Sequence, residues 1–531
     1  MMSIGRTGPQ HTAHTRTAPT ALLVTALLLA LLGLLPGAGP ARATTPKAPG
    51  ATAPGATTPA AMNRATPPTP TPTPTPAPKA PSVAPAAAGD PVETRVDFAG
   101  AGGTVLHGLV LTPPTATARH RGPGLVMVPG AGPGPLGELR PAAEAYARRG
   151  ITTLIFDKRT DGYSMIHRDY GQLADDALAA VRLLRARPEV APGRVGLWGL
   201  SEGAWVVSLA AARSGDVAYL VTAGAVGLTP ARQQAWAYDG YLRHAGVSGS
   251  LRTALPDSSV RVLAAAGLFP EADYDPVPVW ERVHQPVLAE WGTLDREAAP
   301  EESAAIIRQA LDRAGNTHYT LRTVPGVRHN LHLTDDDGYD RPDRLPPDYA
   351  EAETAWIQRL ATALPAASAD PAPHQDTLSH ALAPLPWYQR TWAEAVATLL
   401  CLTGFAGYAL TGAARRIRRR PRSAALPRAA RWAAATGTAA LLGGLGYLFF
   451  LMVTAAMVPG PVLLGRPVVW LAVQLLAVVA VGSAGVAACT ALRRRAALAA
   501  THGLDRARLG ALLLASAVFV PWALSWGLLL P

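Results

Sequence analysis

The chain has 531 residues, 48 of them Lys or Arg and 37 Asp or Glu, for a formal charge of +11, and it is 49% hydrophobic but only 16% charged, a low charge density for a soluble protein. The surplus is uneven: residues 1–89 carry 6 basic and no acidic residues, 90–365 carry 27 and 33, and 366–531 carry 15 and 4, so the three parts stand at +6, −6 and +11. A nucleic-acid binder needs its basic surplus on the folded domain, and here the 276-residue middle part, long enough to bury a full core, is acidic, which argues against that class. The two cysteines, Cys401 and Cys489, both lie in apolar stretches near the C-terminus, which rules out a disulfide scaffold for the middle part.

The chain opens with a polar stretch carrying Arg6 and Arg16, runs apolar from Ala21 to Leu35, breaks at Pro36-Gly37 and reaches Ala41-Arg42-Ala43. That is the grammar of a secretory signal over residues 1–43, with cleavage expected after Ala43 and an uncleaved signal anchor as the alternative. Residues 44–89 are rich in Pro, Thr and Ala, a composition that cannot pack a core and is expected as an extended, polyproline-like stalk.

From residue 92 short apolar runs alternate with helical periods. Strands are expected at Val105 to Leu111, Leu125 to Val128, Ile151 to Phe156, Val195 to Leu200 and Tyr219 to Ala223. Helices are expected at Leu136 to Arg149, Leu173 to Arg187 and Glu202 to Arg213. Apolar strands separated by helices predict an α/β domain over residues 90–365, with a mostly parallel sheet covered on both faces.

At one strand-to-helix junction stands Gly199-Leu200-Ser201-Glu202-Gly203. A serine hydroxyl is a poor nucleophile unless it is exposed beside a base, and a sharp turn between strand and helix presents it while flanking glycines permit the crowded backbone. In this architecture the acid and the base follow in the order carboxylate, histidine. The strand Pro286 to Trp291 runs into Gly292-Thr293-Leu294-Asp295, which makes Asp295 the candidate acid, with Glu297 and Asp157 as alternatives. The strand Thr320 to Val324 leads to Pro325-Gly326-Val327-Arg328-His329, which makes His329 the candidate base, with His332 and His284 as alternatives.

With Asp157-Lys158-Arg159, Leu173 to Ala180 and the serine pentapeptide, residues 90–365 resemble the α/β-hydrolase superfamily, in particular its bacterial dienelactone-hydrolase-like and acyl-peptidase-like members. The resemblance implies an α/β-hydrolase fold and a Ser201, Asp295, His329 triad. It also implies an oxyanion hole from the backbone N–H of Glu202 and of a residue after the third strand, for which Ala131 is the candidate. A common family pattern places His-Gly in that loop where this chain has Pro129-Gly130. Residues 228–282 interrupt the alternation and suggest a cap. Its Trp236, Tyr238, Tyr241, Leu263, Leu268, Phe269 and Trp280 would either roof the active site or pack a small core of their own. The acidic run Asp335 to Asp340 misses the EF-hand spacing and is expected as a solvated loop.

After a linker over 366–394 come four uncharged stretches of span length, 395–414, 432–457, 468–492 and 509–530. Arginines crowd the first and third intervening loops, whereas the second holds only Arg466. The positive-inside rule therefore puts the hydrolase domain and Pro531 on the extracytoplasmic side of the cell membrane, in agreement with the export signal. Trp387, Tyr388 and Trp392 stand where an interfacial aromatic belt belongs. Glu394 is expected at the water edge, and Gln474 is the one amide within the spans. The sequence thus predicts an exported, multi-pass, membrane-anchored serine hydrolase. It would act on a small-molecule or lipid-like ester or thioester through an acyl-enzyme, carboxylesterase-like rather than peptidase-like, with no cofactor and no metal. A serine peptidase of the same fold, or a non-catalytic binding or sensing module, are the alternatives.

Overall fold

The computed structural model describes residues 89–418 and 427–531; the expected signal, the stalk up to residue 88, and Arg419, Arg420 and Arg422 of the first basic loop lie outside the described residues. Nine strands form one sheet: β1 (Val92–Ala99), β2 (Val105–Thr112), β3 (Gly122–Val128), β4 (Thr152–Phe156), β5 (Val190–Leu200), β6 (Leu220–Ala223), β7 (Val287–Gly292), β8 (Tyr319–Val324) and β9 (Ser368–Ala369). Their order is β1-β2-β4-β3-β5-β6-β7-β8-β9. β2 pairs antiparallel with β1 and β4, and all neighbours from β4 to β9 are parallel. This is the α/β-hydrolase fold, and the order puts the ends of β5, β7 and β8 on the same edge of the sheet.

Helices cover both faces. α1 (Leu136–Arg148) packs Leu139 and Tyr146 on one face, where Trp356 and Ile357 of the helix Glu351–Arg359 join them. On the other face α2 (Tyr170–Arg185), α3 (Glu202–Arg213) and the helix Pro300–Arg313 bury Val181, Leu184, Val206, Val207, Ile307 and Leu311. Central strands covered on both sides have no polar face to show, and every residue of β4 and β7 is buried.

The segment between β6 and β7 folds as α4 (Pro230–His244), α5 (Val260–Ala265) and intervening short turns. Its apolar side chains divide between the C-terminal helices and the hydrolase core, against which Trp236 packs. Tyr238, Tyr241, Leu242, Leu251, Leu255 and Val260 share one apolar cluster with Leu451, Trp470, Val473, Trp526 and Leu528 of the C-terminal helices, and Phe269 packs against it. Trp280 instead joins the core of the hydrolase domain.

Among the described residues four helices are long and apolar enough to cross a membrane: α6 (Thr391–Ile417), α7 (Arg428–Val453), α8 (Val468–Arg493) and α9 (Gly503–Ser525). Each runs beyond, or is offset from, its uncharged window, because arginines continue a helix as readily as they flank it. The cap docks on one end of this bundle. Ser250 donates its N–H to the Pro531 carbonyl (2.9 Å) and its hydroxyl to Gly527 O (2.8 Å), Ser248 N–H reaches Gly465 O (2.7 Å), and Gln474 Nε2 donates to Gly527 O, Leu530 O and Ser250 Oγ. The arginines Arg415, Arg416, Arg428, Arg431 and Arg493 belong to the opposite ends of the same helices, and Arg494 and Arg495 directly follow α8 there.

Two expectations change. Glu394 does not sit at the water edge: it is buried and its Oε2 accepts indole N–H groups from Trp522 (2.9 Å) and Trp526 (3.0 Å), so two donors satisfy an inward-facing carboxylate. The stretch 366–394 is not a free linker. It supplies β9 and then lies along the cap, where Thr377 O accepts from Trp236 Nε1 (2.7 Å) and His380 pairs with Asp257 (2.8 Å).

Candidate active site

β5 ends at Leu200, α3 begins at Glu202, and the single residue between them, Ser201, has φ 53° and ψ −115°. That left-handed φ costs a non-glycine residue roughly 1–3 kcal/mol and persists only where the surroundings impose it. The motif glycines supply the room. A Cβ on Gly203 would stand 2.4 Å from the Val128 carbonyl oxygen, and one on Gly199 2.4 Å from the Gly203 carbonyl oxygen. The turn therefore presses against the end of β3, and Ser201 is left half-buried with its N–H donated to Ala223 O (3.0 Å).

Asp295 follows β7 and is fully buried. Its Oδ1 accepts the N–H groups of Glu297 (2.8 Å) and Ala298 (2.9 Å), and its Oδ2 lies 2.9 Å from His329 Nδ1. The two loops are stitched together by Thr293 N–H to Val324 O (2.9 Å) and Leu294 N–H to Val327 O (3.0 Å). The His329 ring lies against Gly224, the residue after the one that accepts the Ser201 N–H, at 2.6 Å from where a Gly224 Cβ would be. Asp295 and His329 are thus paired and the ring stands next to the Ser201 turn through Gly224, while the buried Nε2 of His329 has no hydrogen-bond partner among the described residues, Ser201 included. Burial pushes the Asp295 carboxyl up, but the His329 charge and the hydrogen bonds outweigh it and hold its pKa below the ordinary value. Burial pulls His329 down, and the Asp295 carboxylate, aided by Glu297, outweighs it, leaving the imidazole above its ordinary value.

The alternatives serve elsewhere. His332 lies 3.4 Å from Asp343 and edge-on to Tyr349, and burial and Arg328 hold its pKa below the ordinary value. His284 is exposed and precedes β7. Glu297 accepts from Tyr241 (3.2 Å) and Arg341 (3.1 Å), and Asp157 accepts the Leu136 N–H (2.8 Å) at the start of α1. The carboxylates of the 335–340 run pair with Thr334, His244 and Arg344.

For an oxyanion, Glu202 offers its N–H because the first residue of a helix has no intrahelical acceptor. Ala131 is exposed after β3, and its N–H has no partner among the described residues. Sequence reasoning missed what surrounds them. The buried Glu202 carboxylate receives Lys158 Nζ (3.0 Å), Tyr163 OH (2.7 Å) and Arg168 Nη1 (2.6 Å). Burial draws the Lys158 ammonium below its ordinary value against the pull of Glu202. The available signal was a carboxylate inside the serine pentapeptide together with the basic pair after β4.

Residues 142–363 match the Prolyl oligopeptidase family (Peptidase_S9). The thiohydrolase apmlB of Arthrinium phaeospermum is 34% identical over 111 residues, a stretch covering 20% of this chain and 36% of that protein, so the match spans about a third of the relative's length. Among solved structures, a dienelactone hydrolase from Anabaena variabilis is similar at 18% identity and TM-score 0.32, over 52% of this chain and 100% of that one. An acylaminoacyl peptidase from Pyrococcus horikoshii is similar at 16% identity and TM-score 0.34, over 47% of this chain and 40% of that one. The sheet order, the nucleophile turn and the Prolyl oligopeptidase match together make the central domain an α/β-hydrolase and support a serine hydrolase.

Proposed function

We propose that the protein is a membrane-anchored serine hydrolase that cleaves an ester or thioester through an acyl-enzyme on Ser201. The observation that carries this reading is the Asp295–His329 pair, with its unpartnered Nε2 beside the strained Ser201 turn. Ser201 Oγ adds to the substrate carbonyl carbon as His329 Nε2 takes its proton, and the oxyanion forms against the Glu202 and Ala131 N–H groups. The bond to the leaving group then breaks as His329 returns the proton to it. A water molecule, deprotonated by the same imidazole, releases the acid and restores the serine. Asp295 fixes the tautomer and stabilises the imidazolium without itself taking the proton.

The Prolyl oligopeptidase match favours a peptide bond as the second reading. The ester reading is preferred because an alkoxide or thiolate leaves more readily than an amine, and the groups in view are a triad and two backbone donors. Hydrolysis of p-nitrophenyl esters of graded chain length beside aminoacyl p-nitroanilides decides: turnover of the anilides at rates matching the esters would replace the esterase by the peptidase.

We further propose that the hydrolase domain lies on the extracytoplasmic side, which the Arg-poor end of the bundle beneath it supports. A reporter active only in the cytoplasm should be silent when fused at Pro531 and active near Arg495. The reverse pattern overturns the orientation.

A further inference from the structure

Lys158, Arg168 and Glu202 bring three charged side chains, each no more than 7% exposed, to the back of the Ser201 turn. A buried ion pair adds little net stability over apolar packing, so stability alone does not account for them. Their contacts run to the loop after β3. Lys158 Nζ donates to the Gly130 carbonyl as well as to Glu202, and its backbone N–H donates to Gly134 O (3.1 Å), so one residue grips that loop at both ends. Tyr163 OH donates to Glu202 and accepts the Gly132 N–H (3.1 Å), which removes that donor from use. Gly130 itself lies against the nucleophile turn, a Cβ there standing 3.5 Å from Ser201 Cβ.

In a planar trans peptide the carbonyl and the following N–H point in opposite directions. With the Gly130 carbonyl drawn to the Lys158 ammonium, the Ala131 N–H is turned away from it and left unpartnered at the turn. We propose that Lys158, held by Glu202 and Tyr163, is a positioning residue of the oxyanion hole: it sets the Gly130–Ala131 peptide so that the Ala131 N–H faces the developing oxyanion. Glu202 then has two parts. Its backbone supplies one donor, and its side chain anchors the lysine that aims the other. This also explains how a loop with Pro129-Gly130, where the family pattern has His-Gly, keeps a working donor.

The inference rests on the serine-hydrolase reading, and its test separates the two. The full chain in detergent is assayed on an ester and on the matching thionoester, whose larger, weakly accepting sulfur gains little from the hole. Lys158→Met should lower kcat on the ester roughly 10–100-fold with KM within about twofold, since a misaimed donor loses most of what a deleted one would. The thionoester rate should change far less, so the ester-to-thionoester ratio shrinks by nearly the same factor. Tyr163→Phe should move the ratio in the same direction by less, and it carries the test should Lys158→Met not fold. An equal loss on both substrates, or an unchanged ester kcat, overturns the positioning role. Wild-type esterase activity in Ser201→Ala would instead sink the hydrolase reading, whatever the lysine variant does.

Discussion

Gly224→Ala tests the base through a residue that takes no part in the chemistry. At φ 56° the added methyl sits in the left-handed region, at a cost of about 1–2 kcal/mol. It would also stand 2.6 Å from Nδ1 and Cε1 of His329 and 2.8 Å from its carbonyl oxygen, where ordinary contact begins near 3.4 Å. Backbone forms one of those contacts, so relief requires the imidazole or its loop to move by about 0.8 Å, the difference between 3.4 and 2.6. Overpacking of this kind adds roughly 1–3 kcal/mol, for a total loss near 2–5 kcal/mol. A shift of about 1 Å in a catalytic group costs on the order of 100-fold in rate. Gly315→Ala, at φ 67° with no atom within 4 Å, isolates the backbone term. Thermal unfolding in detergent and kcat/KM on a p-nitrophenyl ester are the assays. The control should lose about 1–2 kcal/mol with activity near wild type. Gly224→Ala should lose more stability and at least tenfold in kcat/KM. If it folds and keeps wild-type kcat/KM, His329 is not the base.

Two further outcomes follow from the geometry. His329 works as a base only when neutral, and Asp295 raises its pKa against burial, so activity should fall as pH drops through that raised value. Asp295→Asn removes the largest raising influence and leaves that of Glu297 against burial, so the acid limb of the kcat/KM profile should move to lower pH while kcat falls by up to about 10⁴; an unmoved limb contradicts the pair. Ser250→Ala strips the cap of a hydroxyl that donates to Gly527 O (2.8 Å) and accepts from Gln474 (3.2 Å), and should lower stability by about 1–3 kcal/mol. A melting temperature equal to wild type would mean that the cap and bundle do not support each other.

Much of the sheet and the three candidate triad positions were legible because their signals are local. Short, mostly apolar runs mark β4 and β7, and Ser201, Asp295 and His329 each stand within a few residues of a strand end. What escaped depends on residues distant in sequence. The two-residue β9 has no pattern of its own and forms only because β8 offers an open edge. Tyr238 and Leu242 have the composition of any cap core, and only the folded chain shows them against helices 200 residues further on. Lys158 meets Glu202 across 44 positions, and Glu394 meets Trp522 across 128, so neither ordinary motif spacing nor hydropathy marks them. α7, α8 and the residues after α9 together form the surface on which the cap rests.

The central claim is tested most directly by treating the full-length protein with a fluorophosphonate probe and locating the adduct by mass spectrometry in the wild type, Ser201→Ala, His329→Ala and His332→Ala. An adduct is expected on Ser201, with none in Ser201→Ala, slow labelling in His329→Ala because the serine has lost its base, and near-normal labelling in His332→Ala. A folded wild type that takes no probe, or one labelled on a residue other than Ser201, contradicts the claim.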